Sequence, residues 1–199
     1  MLSTSYFLEH TESFYDYYRR YIWPWKSALP NAAHEAISRM EEAGRVLCVV
    51  TQNIDRLHQK AGCSRVLELH GNIESVICLG CGVRVDACEV FDAPGAPLVP
   101  RCARCGSKMK PEVVLFDEPL PTEAFDAALN CARECDLLIA AGTSLSVMPA
   151  ALLPEIALGA GARVAIINRE PTPFDYLADT CCRMDVGEAL QSVACSILQ

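Results

Sequence analysis

Apolar positions along this chain fall into helical stripes and short continuous runs, and their order predicts an α/β fold. Residues 5–20, rich in Tyr and Phe, read as a first helix ending in Arg19-Arg20. Trp23-Pro24-Trp25 breaks it, because proline brings no amide donor. Pro30-Asn31 opens a second helix, in which Ala33, Ile37 and Met40 keep helical spacing and Gly44 lies just past the end, where a left-handed residue is favoured. Residues 46–50 form an unbroken apolar run with β-branched members, as expected of a strand buried on both faces. Polar Thr51-Gln52-Asn53 follows at once. A short helix is predicted over 55–61, closed by Gly62, and a strand over 66–69, ending at His70-Gly71. Residues 78–110 lose periodicity and gain Pro94, Pro97, Pro100 and paired cysteines. Beyond them the pattern predicts a strand at 113–116, a helix at 123–133 and a strand at 137–141 before Gly142-Thr143-Ser144. A helix at 149–158, a strand at 164–167 ending at Asn168, and a helix at 187–198 complete the chain.

Strands alternating with helices indicate a parallel, doubly wound sheet. Residues 1–77 and 111–199 are assigned to that layer and 78–110 to a small insert. Ligands of such sheets bind beyond the carboxyl ends of the strands. Three strands here end in polar groups: Thr51-Gln52-Asn53, Gly142-Thr143-Ser144 and Asn168-Arg169-Glu170. A nucleotide site and ordinary helix-capping loops both fit such ends; three together favour the site.

The insert carries the most specific local signal. Cys78-x-x-Cys81 and Cys102-x-x-Cys105 have the spacing of two zinc knuckles, with a separation at the upper end of the zinc-ribbon range. Two disulfides or free thiols are the competing readings. Four sulfurs leave no open coordination position, so a metal there holds structure and does no chemistry. Among the histidines, His70 in Glu68-Leu69-His70-Gly71 stands at a strand end on the same edge as the other polar groups, and imidazole suits general-base work near neutrality. His34 and His58 fall inside helices, and His10 lies near the terminus.

Composition narrows the partners. The chain has 199 residues, 51% hydrophobic, enough for one domain with a core, with or without a small insert. No apolar run reaches the roughly 20 residues needed to cross a bilayer, and Met1 to Tyr6 show no secretory signal. A net charge of −8 argues against nucleic acid and leaves a basic peptide open. Twelve cysteines without a signal peptide point to thiols and a metal site. Cys48, Cys131, Cys135 and Cys195 read as small buried hydrophobes.

Taken in order, the motifs resemble the sirtuin family of NAD-dependent protein deacylases. They are Pro30-Asn31-x-x-His34, Thr51-Gln52-Asn53-Ile54-Asp55-x-Leu57-His58-x-x-Ala61-Gly62 and Leu69-His70-Gly71. The two cysteine pairs follow, then Lys110-Pro111-Glu112-Val113-Val114-Leu115-Phe116-x-Glu118. Gly142-Thr143-Ser144-Leu145-x-Val147-x-Pro149 and Asn168 come last. The resemblance implies a Rossmann-like sheet with a zinc-binding small domain, one structural Zn2+, and NAD. It implies His70 as general base, and Gln52, Asn53, Ile54 and Asp55 on the nicotinamide and ribose side. Gly142, Thr143 and Ser144 would approach the phosphates and adenosine ribose, and Asn168, Arg169, Glu170 and Val186 the adenosine end. Val113 and Val114 would pair with the substrate backbone as an added strand, and Phe116 would wall the acyl-lysine tunnel. The implied reaction moves the acyl group of a protein lysine to the cofactor: nicotinamide leaves, and water then releases free lysine and acyl-ADP-ribose. The implied partners are acylated-lysine proteins, with no direct nucleic acid and no membrane. The implied location is intracellular, mitochondrial or cytosolic/nuclear.

The family begins with a strand and a Gly-Ala-Gly-Ile-Ser loop, then a Phe-Arg segment over the cofactor. None of these is in this sequence. An N-terminally truncated form is therefore expected, with a gap where the central strand belongs. Without the loop's backbone donors to the pyrophosphate, such a chain is expected to bind NAD weakly or not at all. Asp117 stands where the family has Gly, and Lys110 where it has Arg. Class III members, which prefer succinyl, malonyl and glutaryl lysine, carry Tyr-x-x-Arg on the first helix. Tyr17 and Arg20 fit that spacing, and so the chain reads closest to that class. The segment 14–20 is one residue longer than usual, so Asp16 with Arg19 is a second register, and a tyrosine-rich packing face a third reading. Two other functions stay open: a non-catalytic zinc-bearing interaction module, and protein mono-ADP-ribosyl transfer.

Overall fold

A computed structural model describes residues 1–198. The chain begins with α1 (Thr4–Glu9), α2 (Thr11–Tyr17), a π-helical turn (Tyr18–Ile22) and a 3-10 turn (Trp23–Ser27). It continues through α3 (Ala32–Glu42), β1 (Val49–Thr51), α4 (Leu57–Lys60), β2 (Val66–Glu68), β3 (Gly71–Cys78), β4 (Arg84–Asp86), α5 (Ala87–Phe91) and β5 (Met109–Val113). Last come α6 (Thr122–Glu134), β6 (Leu137–Ala141), α7 (Leu153–Gly159), β7 (Arg163–Ile167), β8 (Thr180–Cys182) and α8 (Val186–Ile197). Two compact units share these elements. One holds Met1–Ala28, Thr51–Arg56 and Glu68–Pro121; the other holds Leu29–Val50, Leu57–Leu67 and the chain from Thr122 onward.

The first unit is built on an antiparallel sheet ordered β4-β3-β5. Its core joins Phe7, Phe14, Tyr15, Tyr18, Ile22 and Trp23 to Ile73, Val76, Phe91 and Met109, with Cys78 and Cys102 in the same cluster. Each buried aromatic side chain of this kind contributes about 2–3 kcal/mol of transfer free energy. The Tyr15 hydroxyl donates to the Met109 carbonyl at 2.6 Å, so its burial leaves no orphaned oxygen. The 78–110 segment singled out by its cysteines lies wholly within this unit.

Several expectations for this unit need correction. The single helix expected at 5–20 divides at His10, whose backbone (φ −126°, ψ 46°) is not helical. There the Thr11 hydroxyl donates to the Phe7 carbonyl at 2.8 Å, competing with the backbone ladder. Trp23-Pro24-Trp25 does not break the run but continues it as a 3-10 turn with Pro24 in its first positions, where no amide donor is needed. Strand β3 escaped prediction because a register shift between Gly71 and Val76 interrupts the two-residue alternation, as a bulge does. The strand expected at 113–116 instead occupies Met109–Val113. It tolerates Pro111 because β5 is an edge strand, so the missing amide costs the ladder nothing.

In the second unit β6, β7 and β8 are parallel, with Leu137 to Ala141 in continuous register against Arg163 to Ile167. The sequence located β6 and β7 well and missed β8. Helices α3 and α8 pack through small side chains: Ala33, Ala36 and Met40 meet Ala189, Leu190 and Ala194. Asn31 caps α3, accepting from the Ala33 amide at 3.0 Å, while His34 Nδ1 faces back toward the Asn31 amide. The Asn31-x-x-His34 motif is thus a capping box. Strand β1 covers Val49–Thr51 and not 46–50: Val46 joins the α3–α8 core, and hydrophobicity in the run marks burial without marking the ladder. β1 pairs with β2 in a sheet of its own, separate from β6-β7-β8.

Gly71 sits at φ +68°, and a Cβ there would overlap the Glu112 carbonyl oxygen. Gly71→Ala is expected to destabilise the chain by about 2–4 kcal/mol, read as a lower urea midpoint with an unchanged slope.

Candidate active site and metal centre

Cys78 ends β3 and the other three cysteines lie on the two knuckles. The four Sγ atoms lie within 4.8 Å of one another, with Cys78–Cys105 at 3.4 Å and Cys81–Cys102 at 3.7 Å. Zn–S bonds of about 2.3 Å set tetrahedral sulfurs about 3.8 Å apart, so the cluster fits one zinc ion and not two disulfides. The amides of Gly80 and Cys81 donate to Cys78 Sγ at 3.3 and 3.4 Å, stabilising a thiolate. Hydrogen bonds from Ser107, side chain and backbone, hold Cys105 down at about 6. Gly80 is required at its place because a Cβ would overlap the Ser107 hydroxyl.

His70 stands immediately before β3. Its Nδ1 lies 3.0 Å from the Gln52 carbonyl oxygen. A carbonyl only accepts, so Nδ1 carries the proton and Nε2 of the neutral ring keeps its lone pair. The Thr51 hydroxyl accepts from the Asn53 amide at 3.0 Å, and the Ile73 amide donates to the Ile54 carbonyl at 3.0 Å. Gln52 therefore meets His70 directly, and Asn53, Ile54 and Asp55 follow it on the same loop of the first unit. The Val114 amide donates to the His70 carbonyl at 2.9 Å, so the same residue also fixes the segment after β5. Lys110, 8% exposed, donates to the Val113 carbonyl at 2.7 Å and to Glu118 at 2.9 Å, and Glu118 accepts from the Leu115 amide at 2.9 Å. Phe116 exchanges backbone hydrogen bonds with Leu2 and Thr4, while its ring is 69% exposed. The backbone of 113–116, expected to serve as a free edge, is thus largely committed within the chain. The side chains of Val114 and Phe116 still face outward.

The second unit gathers the other candidates by itself. Gly142 follows β6 at φ +64°, and a Cβ there would meet Val186 Cγ2 at 3.4 Å. The Thr143 hydroxyl accepts from the Leu145 amide at 3.1 Å, and Leu145 is left-handed at φ +52°. Asn168 ends β7 and donates to the Glu170 carbonyl at 2.8 Å. Arg169 pairs with Asp185 at 2.6 Å, and Asp185 caps α8 at Gly187. Val186, Gly142 and Asn168 thus lie at one end of this sheet, open to solvent at Gly142 and Ser144.

A profile of the Sir2 family matches residues 1–149. The chain belongs to the Sir2 family. It is 42% identical over 198 residues to the NAD-dependent protein deacetylase of Cutibacterium acnes, covering 100% of this chain and 78% of that protein. Solved structures of Sir2 with p53 peptide and NAD+, and of Sir2Tm bound to a propionylated peptide, each superpose with a TM-score of 0.94 at 38% identity. Both cover 98% of this chain and 82% of theirs.

Membership explains one departure and sharpens another. Asp117, where Sir2 relatives were expected to carry Gly, has φ +75°, a conformation that costs a non-glycine residue about 1 kcal/mol and that Asp tolerates better than most. A π-helical turn runs over Tyr18–Ile22, which accommodates one more residue per turn than an α-helix. Tyr18 and Ile22 then both stay buried. Tyr17 lies half-buried against Tyr21, ring centroids 5.1 Å apart, and Arg20 is exposed with Asp16 at 3.4 Å. In the alternative register, Arg19 donates to the Phe91 and Pro97 carbonyls at 2.9 and 2.8 Å. It is a structural tie to the insert and is not available as a ligand. Arg56, which sequence reasoning passed over, bridges Glu68 and Glu74 next to His70; nothing in spacing or composition marks it.

The metal centre makes a direct expectation. The chain should carry one zinc by elemental analysis, and Cys102→Ala should abolish it and lower Tm on the order of 10 °C, because Cys102 belongs to both the cluster and the aromatic core.

Proposed function

We propose that this chain is an NAD-dependent protein-lysine deacylase, with His70 as its general base and the four cysteines as structural zinc ligands. The observation that carries the reading is the His70 Nδ1–Gln52 hydrogen bond, which presents a basic Nε2. It joins to family membership and to relatives named for NAD-dependent deacetylation. In this reading 78–110 is the small zinc domain and the rest the Rossmann-like domain. NAD, when bound, would supply an electrophilic ribose carbon and the hydroxyl beside it, and His70 Nε2 would take the proton of that hydroxyl. Gln52, Asn53, Ile54 and Asp55 orient the nicotinamide end, and Gly142, Thr143, Ser144, Asn168, Arg169, Glu170 and Val186 hold the phosphates and adenosine. Val113, Val114 and Phe116 bound the acyl-lysine, and exclusion of water beside an apolar wall protects the reacting groups. With one water consumed in releasing the amine, the products are free lysine, nicotinamide and O-acyl-ADP-ribose. The net charge of −8 is compatible with basic residues flanking the acyl-lysine. An intracellular location fits this chemistry; no helix of the described residues is long and apolar enough to cross a membrane.

Neutral acyl groups are the favoured substrates, because Arg20 already faces Asp16 and Arg19 is tied to backbone carbonyls. The Tyr17–Arg20 pocket for acidic acyl groups is the second reading, supported by their one-turn spacing.

Incubating the chain with NAD and an acetyl-lysine peptide should yield O-acetyl-ADP-ribose by mass spectrometry, even if slowly. His70→Ala should lower the rate by about 10²–10⁴-fold. ADP-ribosylated protein without acyl-ADP-ribose would favour the transferase reading, and no NAD binding by calorimetry the interaction module. Against succinyl-lysine and acetyl-lysine peptides, Arg20→Ala should cost both equally; a loss confined to succinyl-lysine would restore the acidic-acyl pocket.

A further inference from the structure

We infer that Arg56 is a positioning residue for the general base: by bridging Glu68 and Glu74 it pins the 52–56 loop and keeps the Gln52 carbonyl on His70 Nδ1. The inference rests on the role proposed for His70 and adds to it a residue that selects the ring's tautomer.

Arg56 is left-handed at φ +59°. That backbone is unfavourable for a long side chain, so its surroundings must hold it there. Its Nε lies 3.2 Å from Glu68 Oε1 and its Nη1 2.7 Å from Glu74 Oε2. The second oxygen of Glu68 accepts from Asn72 Nδ2 at 2.9 Å, and Asn72 Oδ1 accepts from the Glu74 amide at 3.1 Å. Three hydrogen bonds and the Arg56 Nε–Glu68 ion pair close the four residues into a ring. Glu68 and Asn72 lie two residues to either side of His70 in the sequence. The loop is then held to the start of β3 at three points: Arg56 through the carboxylates, the Ile54 carbonyl by the Ile73 amide, and the Gln52 carbonyl by His70.

A neutral imidazole passes between two tautomers, and only the one protonated at Nδ1 leaves Nε2 as the base. The Gln52 carbonyl makes that choice, and it is a loop atom. Without the guanidinium the loop loses its tie to Glu68 and Glu74, the two carboxylates that flank His70 in the chain. The pairs are partly exposed, with the Arg56 side chain at 33% and Glu68 at 17%, so their part in positioning need not appear as a large change in stability.

The test is nitrogen NMR of the zinc-loaded chain at alkaline pH, where the ring is neutral and the two tautomers have distinct ¹⁵N shifts. Wild-type His70 should read as protonated at Nδ1. In Arg56→Gly, which also relieves the left-handed backbone, and in Glu68→Gln, which opens the ring from the other side, His70 should show a substantial share of the Nε2-protonated form. Where turnover is measurable, kcat should fall roughly tenfold with KM nearly unchanged. Retention of the Nδ1-protonated ring in either folded variant overturns the inference, whatever happens to stability. Deacylation plays no part in the tautomer measurement. A chain that shifts its tautomer yet deacylates nothing therefore fails the functional reading alone.

Discussion

The antiparallel pairing of β3 with β5 is the constraint on which the first unit depends. β3 begins beside His70, the proposed general base, and ends on Cys78 of the four-cysteine cluster; β5 begins beside the second knuckle and ends at the segment proposed to meet substrate. The register Gly71↔Val113 and Cys78↔Met109 therefore couples metal centre, base and acyl wall through one ladder. Backbone hydrogen bonds are individually modest, about 1 kcal/mol net, but a slip by one residue would turn every side chain to the other face. The bulge between Gly71 and Val76 and the close approach of Gly71 to Glu112 fix the register at the end that matters for His70. The zinc fixes it at the other.

This arrangement gives the metal a positional role without any part in the reaction. Four thiolates fill its coordination sphere, and two of them are buried in the same cluster as Phe14, Tyr15 and Phe91. The aromatic face of α1 and α2 closes over that cluster, and Tyr15 reaches Met109 at the start of β5. The tyrosines and phenylalanines that give the N-terminal segment its character act chiefly as core. That limits what can be asked of Tyr17 and Arg20 as ligands: their helix is held by its buried side, and the π-helical turn keeps that side in phase.

The second unit solves a separate problem with ordinary means. A continuous parallel ladder brings Gly142 and Asn168 to neighbouring strand ends, where helix amides and loop groups collect in doubly wound sheets. Small residues let α8 lie close to α3, and the same closeness sets Val186 against Gly142. Left-handed backbone recurs at Gly142 and Leu145, as it does at Arg56 and Asp117. Such conformations gather where a chain must turn sharply to present its polar groups.

The sequence by itself determined what depends on residue type at short spacing. The cysteine pairs, the Asn31-x-x-His34 cap, the polar strand ends and the buried runs of β6 and β7 are of this kind, and so is the ordered set of motifs that identified the family. Features that arise from distant parts of the chain meeting needed the tertiary structure. Alternation could not show β3, because a bulge breaks it, nor β5, because Pro111 reads as a loop until its strand is known to be an edge. Arg19 and Arg20 look equivalent in sequence; only the insert's carbonyls separate them. The tautomer of His70 was decided by a carbonyl 18 residues away, and the carboxylates that hold Arg56 come from a later segment of the chain. Local chemistry is written in local spacing, whereas the state of a catalytic group is set by whatever the fold places against it.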